Sequence, residues 1–491
     1  MRSRHGSLHA PAGCHSRSKE EQVTSTLNKQ DLVQLSTVEM AEGIASGEIS
    51  VLELAETLLD RIATYDPVIQ SFSYLDRERV LEDARVLDEE AKAGKLRGPL
   101  HGVPFAVKEQ FLLEGVATRG DYADPKPPVA AYTATLIERL RDAGALLFGK
   151  LYMVGPSGTP PTRNPWNIEH TPGGSSSGSG AAVGARFVPF SLSEQTGGSG
   201  IRPAAYCGVS GFKPTFGRNS RRGMFIMSYS HDYPCIIGTT MEDIARVFAV
   251  TSGYDELDPT SLPLPPAKPV IDVANMKPPK IGVVRNFYPE LQEPVINEAI
   301  ETAAGKLKDA GATVTDVYLP EEFAWVWKAL PIMGVEGYTN NARERAEKIR
   351  SGATPPLKPK AVTKFTGKYE GFQMGVLSEL IPATYYLQAQ RIRRWLRDRV
   401  NAVLADYDAI LMGTTPAPAP RDLTISGTDI LLQPWSKLGN PAISIPGGLS
   451  PEGLPIGLQL VAPTLADESL LATGAWCESV LGRLPIPSMN F

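Results

Sequence analysis

Two serine-bearing glycine turns lie close together in the sequence and supply residue types that nucleophilic catalysis uses. The first spans residues 173–178 (GGSSSG) and the second spans residues 197–200 (GGSG). Half of residues 171–200 are Gly or Ser, which would also suit a flexible linker. However, the apolar runs at 181–185 and 187–190 interrupt this composition. Because glycine permits positive φ and close backbone approach, the stretch predicts a site where hydroxyls and amides converge.

The chain is poor in histidine, which restricts the base that could activate a serine. Residues 174–178 match the G-x-S-x-G nucleophile elbow, whose triad needs an acid and then a histidine downstream. Of the six histidines, His231 alone follows the motif, and we interpret His231 and Asp232 as a polar loop pair. The same scarcity argues against a Cys–His nucleophile and against a histidine-based metal site.

A lysine is the alternative base. Burial lowers the pKa of a lysine from about 10.4 toward neutrality, so that its amine can accept a proton. Lys108 is the best candidate because it ends the apolar run at 103–107. Taken alone, it would favour a surface lysine at the end of a strand.

The composition is that of a globular protein in a reducing compartment. The chain has 491 residues, a net charge of -5, 42% hydrophobic and 21% charged residues. The small negative charge gives no reason to expect nucleic acid or an anionic membrane as partner. The four cysteines are widely spaced without a CxxC pair, and no apolar run reaches the roughly 18 residues of a membrane span. We therefore expect a cytoplasmic protein.

The pattern of apolar residues predicts an α/β protein. Helices are expected at 36–46, 50–65, 77–93, 135–143, 240–251, 294–310, 321–350, 383–405 and 467–480. Strands are expected at 103–108, 146–148, 280–284, 313–317, 409–412, 441–445 and 456–461, the third and fourth within a βαβ unit. Residues 1–28 are predicted to be a flexible tail and 29–491 one catalytic domain. The core of this catalytic domain is expected at about 100–220, and residues 351–375 are expected to form a flap or loop.

Several motifs, taken in order, resemble the amidase signature family. Ser175 and Ser199 are 24 residues apart (199 − 175), as in that family. The resemblance extends from about Leu35 to Leu481. The matching segments are 102–108 (GVPFAVK), 173–176 (GGSS), 196–199 (TGGS), 208–215 (GVSGFKPT), 439–446 (GNPAISIP) and 457–463 (GLQLVAP).

This resemblance implies a large mixed central β-sheet flanked on both faces by helices, and a Ser–cis-Ser–Lys triad. Ser199 would be the acylating nucleophile. Ser175, preceded by a cis peptide bond, would relay its proton to a neutral Lys108. No metal or organic cofactor is implied. The remaining implied site residues are the backbone N–H groups of Thr196, Gly197, Gly198 and Ser199 as an oxyanion hole, Ser176 as a supporting hydroxyl, and Met153 and Arg202 for binding.

The chain departs from the common family pattern around this site. Ser193, Glu194 and Gln195 stand where Gly-Thr-Asp is commonest. The negative charge of Glu194 would be unfavourable beside a developing oxyanion unless it is paired, and Arg202 or Arg186 are expected as partners. Further departures occur at 109–110, 155 and 230–235. They leave the triad intact and weaken any transfer of substrate from a relative.

The leading expectation is an amidohydrolase that cleaves the carbon–nitrogen bond of a small or medium amide through an acyl-enzyme. Carbamate (urethane), ester and aryl-amide hydrolysis share this chemistry and remain open. The family also includes amidotransferase A-type subunits, which release ammonia from glutamine within a complex. The departures at Glu194 and Gln195 place this role second, and a non-catalytic scaffold third. A small-molecule amide is the expected partner, and a homodimer is left open.

Overall fold

Polar caps mark where the first helices begin. The computed structural model describes residues 28–119, 126–155, 158–336 and 382–491. The Asn28 side chain accepts hydrogen bonds from the N–H groups of Gln30 and Asp31, and Ser36 accepts one from Glu39. Gly47 ends the second helix at φ 79°, a conformation that glycine adopts without steric cost. The helix predicted to begin at residue 36 is therefore confirmed, with Ser36 as its N-cap.

Helices and strands alternate along most of the chain. The helices are α1 Lys29–Gln34, α2 Thr37–Ser46, α3 Val51–Ile69, α4 Arg77–Lys92, α5 Thr135–Asp142, α6 Ser177–Gly184, α7 Ile201–Tyr206, α8 Met241–Thr251, α9 Pro294–Asp309, α10 Trp325–Lys328, α11 Ala383–Leu404, α12 Gln433–Leu438 and α13 Asp467–Leu481. The strands are β1 Phe72–Leu75, β2 Pro104–Lys108, β3 Leu146–Leu151, β4 Phe190–Gln195, β5 Ser210–Lys213, β6 Tyr233–Gly238, β7 Lys280–Val284, β8 Thr313–Val317, β9 Ala409–Gly413, β10 Ala442–Leu449 and β11 Pro455–Val461.

In the described residues, these strands form an 11-stranded sheet in the order β1-β3-β2-β4-β6-β5-β10-β11-β9-β7-β8. Strands β3, β2 and β4 run parallel to one another, whereas β6 and β5 run antiparallel to their neighbours. Strands β7 and β8 pair in parallel, which confirms the predicted βαβ unit. The predicted α/β class with a large mixed sheet is therefore confirmed.

Both faces of the sheet are covered. Along β9, Ala409 and Leu411 belong to one buried cluster, and Ile410 and Met412 belong to another. Because successive strand side chains point to opposite faces, the two clusters lie on opposite sides of the sheet. The first cluster contains residues of α2, α3, α4, α8, α9 and α13, and the second contains residues of α10, α11 and α12.

Three features differ from the sequence expectation or lie beyond it. Helix α3 does not stop before Pro67 but continues to Ile69, where Gln70 takes a left-handed conformation and donates its N–H to the Asp66 carbonyl. The predicted helix at 321–350 is described only to residue 336, as short 3-10 and α segments. The predicted flap at 351–375 and residues 1–27 of the predicted tail lie outside the described residues.

Across the described ranges, no helix combines the length and apolarity needed to cross a bilayer.

Replacing Phe190 by Ala should destabilise the fold at the pairing of β2 with β4. Phe190 is fully buried and stacks on Phe105 with ring centroids 5.5 Å apart. Truncating a buried phenylalanine typically costs about 3–5 kcal/mol. Denaturant-induced unfolding should show this loss, whereas Val86→Ala at an exposed position should change stability by less than about 0.5 kcal/mol. Equal effects from both substitutions would contradict the burial described here.

Candidate active site

The site forms at the edge where parallel strands β2, β3 and β4 end. Phe105 pairs with Phe190 and Val107 with Leu192, so that Lys108, the last residue of β2, lies next to the end of β4. Because parallel strands end at the same edge of a sheet, the loops that follow them converge there. Strand β6 runs antiparallel to β4 and therefore begins at this edge, with Tyr233 opposite Gln195.

The two serine loops are held against each other through their backbones. The Ser176 N–H donates to the Ser199 carbonyl over 3.3 Å, and the Val154 N–H donates to the Ser175 carbonyl over 2.9 Å. The Gly174–Ser175 peptide bond is cis. A Cβ on Gly174 would lie 2.6 Å from Cγ2 of Val154, so this position requires glycine. The serine-bearing turns predicted from the sequence are thus brought together.

Lys108 lies beneath the serines, out of contact with solvent. Its side chain is 0% exposed, and its Nζ donates to Ser175 Oγ over 2.7 Å. The alternative of a surface lysine is therefore wrong. Ser175 and Ser199 are half-buried. A substrate can reach the hydroxyls, while the amine contacts protein groups.

Glu194 is paired, but not with the residues expected from the sequence. Its Oε2 accepts a hydrogen bond from Lys108 Nζ over 2.7 Å, and its Oε1 accepts one from Thr196 Oγ1 over 2.9 Å. The expected partners, Arg202 and Arg186, make no ion pair with it in the described part of the chain. The error arose because the sequence offers nearby arginines, whereas strand pairing brings Lys108 closer.

The turn that leads to Ser199 presents backbone donors. Within the described residues, the N–H groups of Gly197, Gly198 and Ser199 have no hydrogen-bond acceptor. Gln195 Oε1 instead accepts the N–H groups of Gly200 and Ile201, each over 3.0 Å, which fixes the start of α7. Unpaired, fixed N–H groups are what an oxyanion requires.

Ser176 ties the end of β4 to the first serine loop. Its Oγ donates to the Glu194 carbonyl over 3.0 Å and accepts the Glu194 N–H over 3.3 Å. This agrees with a supporting hydroxyl. Met153, which follows β3, is 5% exposed and adjoins Val154, whose N–H bonds to Ser175. Met153 therefore lies close to the first serine loop.

Arg202 supports the same loop from behind. Its guanidinium donates to the carbonyls of Gly174 and Gly427, the latter over 2.7 Å, and to Ser426 Oγ over 3.3 Å. Burial lowers the pKa of Arg202, and the charge of Asp429 opposes that shift. These contacts join the loop of Ser175 to residues 426–427.

His231 and Asp232 form a polar loop pair, as the sequence indicates. His231 Nδ1 lies 2.6 Å from Ser228 Oγ, and burial lowers the pKa of His231 to about 3. Asp232 accepts the N–H groups of Met227 and Ser228. Burial, and next the charge of Glu194, raise the pKa of Asp232 to about 8.

Asp429 is a site residue that the sequence reasoning missed. A Cβ built on Gly197 would lie 2.0 Å from its Oδ2, so the carboxylate packs directly against the nucleophile turn. In the described ranges, this half-buried carboxylate makes no hydrogen bond or ion pair. It lies more than 200 residues along the chain from Gly197, and no local motif marks it.

No group of three or more His, Cys, Asp or Glu side chains in the described residues has an arrangement that could hold a metal ion.

Comparisons with known proteins agree on one family. The Amidase family model matches residues 53–471. The A subunit of glutamyl-tRNA(Gln) amidotransferase from Thermobifida fusca is 34% identical over 92% of this chain and 96% of that relative. The inhibitor-bound chain of a vestigial protein complex, described as revealing the origins of an s-triazine catabolic enzyme, is 32% identical. Its TM-score is 0.80, over 92% of this chain and 100% of that one.

A peptide amidase from Stenotrophomonas maltophilia has a TM-score of 0.77 at 27% identity, over 93% of this chain and 99% of that one. Family model, relatives and folds thus cover the sheet edge on which Lys108 and both serine loops lie. The chain belongs to the amidase signature family.

Proposed function

We propose that this protein cleaves the carbon–nitrogen bond of a carboxamide through an acyl-enzyme on Ser199. The supporting observation is that a fully buried amine, Lys108 Nζ, lies 2.7 Å from Ser175 Oγ, on a loop bonded to the backbone of Ser199. A solvent-excluded base in contact with a serine hydroxyl, on a loop held beside a second serine, is suited to general-base activation.

The roles follow from this arrangement. Ser199 Oγ attacks the carbonyl carbon while its proton passes through Ser175 to Lys108. The N–H groups of the turn at 197–199 stabilise the oxyanion, a contribution of about 3 kcal/mol for each donor in related enzymes. The proton then returns to the leaving nitrogen as the carbon–nitrogen bond breaks. Water next attacks the acyl-enzyme carbonyl while its proton passes through Ser175 to Lys108, and that proton returns to Ser199 Oγ as the acyl–oxygen bond breaks.

Among amide-cleaving functions, the comparisons favour an A-type subunit of an amidotransferase over a hydrolase of a small amide. On sequence alone, the departures at Glu194 and Gln195 favour the hydrolase. The curated relatives reverse this order, because those in Thermobifida fusca and Acidothermus cellulolyticus are both named as the A subunit of glutamyl-tRNA(Gln) amidotransferase, at 34% identity. Such a role implies ammonia release from a primary amide and partner subunits that use it.

Asp429 supports an amide donor that carries an ammonium group. Its carboxylate adjoins Gly197 beside the proposed nucleophile and accepts no hydrogen bond in the described residues, while the charges of Arg202 and Lys437 lie close enough to interact with it. A half-buried anion at this place would bind a cation more favourably than a neutral group. Glutamine carries both a primary amide and an α-ammonium group, and so meets both requirements.

A stand-alone amide hydrolase is the second candidate. The similar fold of the Stenotrophomonas maltophilia peptide amidase, with a TM-score of 0.77, supports it. Purification of the native protein separates the two candidates. An amidotransferase component should co-purify with partner proteins and release ammonia from glutamine, whereas a stand-alone hydrolase should act on neutral amides without partners.

Replacing Ser199 by Ala should abolish covalent labelling by a fluorophosphonate probe and all amide turnover, because the acyl-enzyme loses its oxygen. Intact-mass spectrometry of the labelled protein provides the measurement. Ser177→Ala is the matched control: Ser177 Oγ donates to the Tyr152 carbonyl over 3.3 Å and should leave labelling in place. Labelling that survives Ser199→Ala would reject Ser199 as the nucleophile.

Replacing Lys108 by Ala should lower amide turnover by several orders of magnitude and change its pH profile, since Ser175 loses its proton acceptor. The measurement is kcat/KM across pH. Lys150→Ala removes another buried lysine, which lies on the neighbouring strand β3. The Nζ of Lys150 donates to Thr118 Oγ1 over 2.6 Å. This control should keep the wild-type pH profile, and an unchanged profile in Lys108→Ala would count against a lysine base.

Replacing Asp429 by Asn should raise KM for glutamine by about 10- to 100-fold, the range expected for loss of a charged hydrogen bond of about 1.5–3 kcal/mol. The KM for a neutral primary amide such as butyramide should change little. Ammonia release measured with both substrates tests this. A parallel rise in both KM values would show that Asp429 supports the turn rather than the ammonium group.

A further inference from the structure

The ion pair between Lys108 and Glu194 bears directly on the proton relay. We propose that Glu194 is a positioning residue that holds Lys108 beside Ser175 in its ammonium form and thereby sets the pH above which Lys108 can accept a proton. This inference rests on the proposed function, because it concerns the same serine relay.

The contacts of Lys108 match those of an ammonium group. In the described residues, Nζ has three acceptors: Ser175 Oγ at 2.7 Å, Glu194 Oε2 at 2.7 Å and the Glu194 carbonyl at 3.5 Å. A protonated lysine offers three donors and no acceptor. In that form Nζ can donate to each of these oxygens and has no lone pair for the Ser175 proton.

The surroundings strengthen the attraction between the two charges. The side chains of Lys108 and Glu194 are 0% and 1% exposed, so water screens them little. An opposite charge within about 4–6 Å favours the charged form of a group. The carboxylate therefore stabilises the ammonium, and a proton must leave before the amine can act as a base.

The other titratable groups facing this pair lie on β6 and on the loop that precedes it. Burial, and next the charge of Glu194, raise the pKa of Asp232 to about 8. Burial also raises the pKa of the Cys235 thiol, which therefore stays neutral at physiological pH. Arg202 is turned away toward the Gly174 carbonyl. Glu194 is thus the charged group in hydrogen-bond contact with Lys108 in the described chain.

The relay balances in two stages. In the first, the Lys108 ammonium releases one proton to solvent and becomes an amine. In the second, the Ser199 hydroxyl proton passes through Ser175 to that amine as the bond between Ser199 Oγ and the carbonyl carbon forms. The ammonium then returns the proton through Ser175 to the leaving nitrogen. Glu194 gains and loses no proton in these steps.

The rate of Ser199 labelling by a fluorophosphonate probe, measured across pH, tests this role without a substrate. Glu194→Gln keeps the shape of the side chain and removes its charge. In this variant, the acid limb of the pH–rate profile for labelling should move to lower pH by about one unit or more. The plateau rate should fall, on the order of tenfold, because the amine is held less firmly. Glu194→Thr provides a second neutral variant should the first fail to fold, and Glu194→Asp should keep the limb near its wild-type position.

An unmoved acid limb in the neutral variants would overturn the proposal, since Glu194 would then be only a packing residue. A limb that moves to higher pH would also overturn it, because Glu194 itself would then be taking the proton. Asp232→Asn should leave the limb in place, and a shift there would assign the limb to Asp232 and reject the proposal. Absence of Ser199 labelling in the wild-type protein would instead reject the proposed function and this inference together.

Discussion

The structure of this site depends on burying one amine completely and satisfying it with protein groups. A buried lysine cannot hydrogen-bond to water, so each of its donors needs an acceptor nearby. Strand β2 delivers Lys108 to the sheet edge, the first serine loop supplies Ser175, and the end of β4 supplies Glu194. The acceptors come from two segments, one carrying Ser175 and the other Glu194, which explains why the parallel pairing of β2 with β4 matters as much as the serines themselves.

Much of this arrangement could be predicted from the sequence. The apolar run before Lys108 marks it as the candidate for a buried base, although alone it favours a surface lysine, and the glycine turns predict that hydroxyls and amides converge. Several strands near the site could not be predicted, because β4 buries Ser191, Ser193, Glu194 and Gln195. Polar residues in a fully buried strand remove the alternation by which strands are recognised. The partner of Glu194 was missed because Lys108 lies 86 residues away in the chain.

The residues at which this chain departs from the common family pattern lie around the serines rather than among them. The same acyl chemistry serves hydrolases and amidotransferases, so the fold does not decide between them. We propose that this choice depends on groups such as Asp429, which in this chain approaches the turn at 197–199 from a distant loop. Sequence reasoning that proceeds motif by motif overlooks such a group because no neighbouring residue marks it.

The complete seclusion of Lys108 has a consequence for how such a protein can diversify. Its amine meets hydroxyl, carboxylate and carbonyl oxygens of the protein, while Ser175 and Ser199 are only half-buried. Residues in loops that would contact a substrate can therefore be substituted without changing the contacts of Lys108. Because substrate recognition and proton transfer would then depend on different residues, the same proposed catalytic residues could serve many unrelated amides.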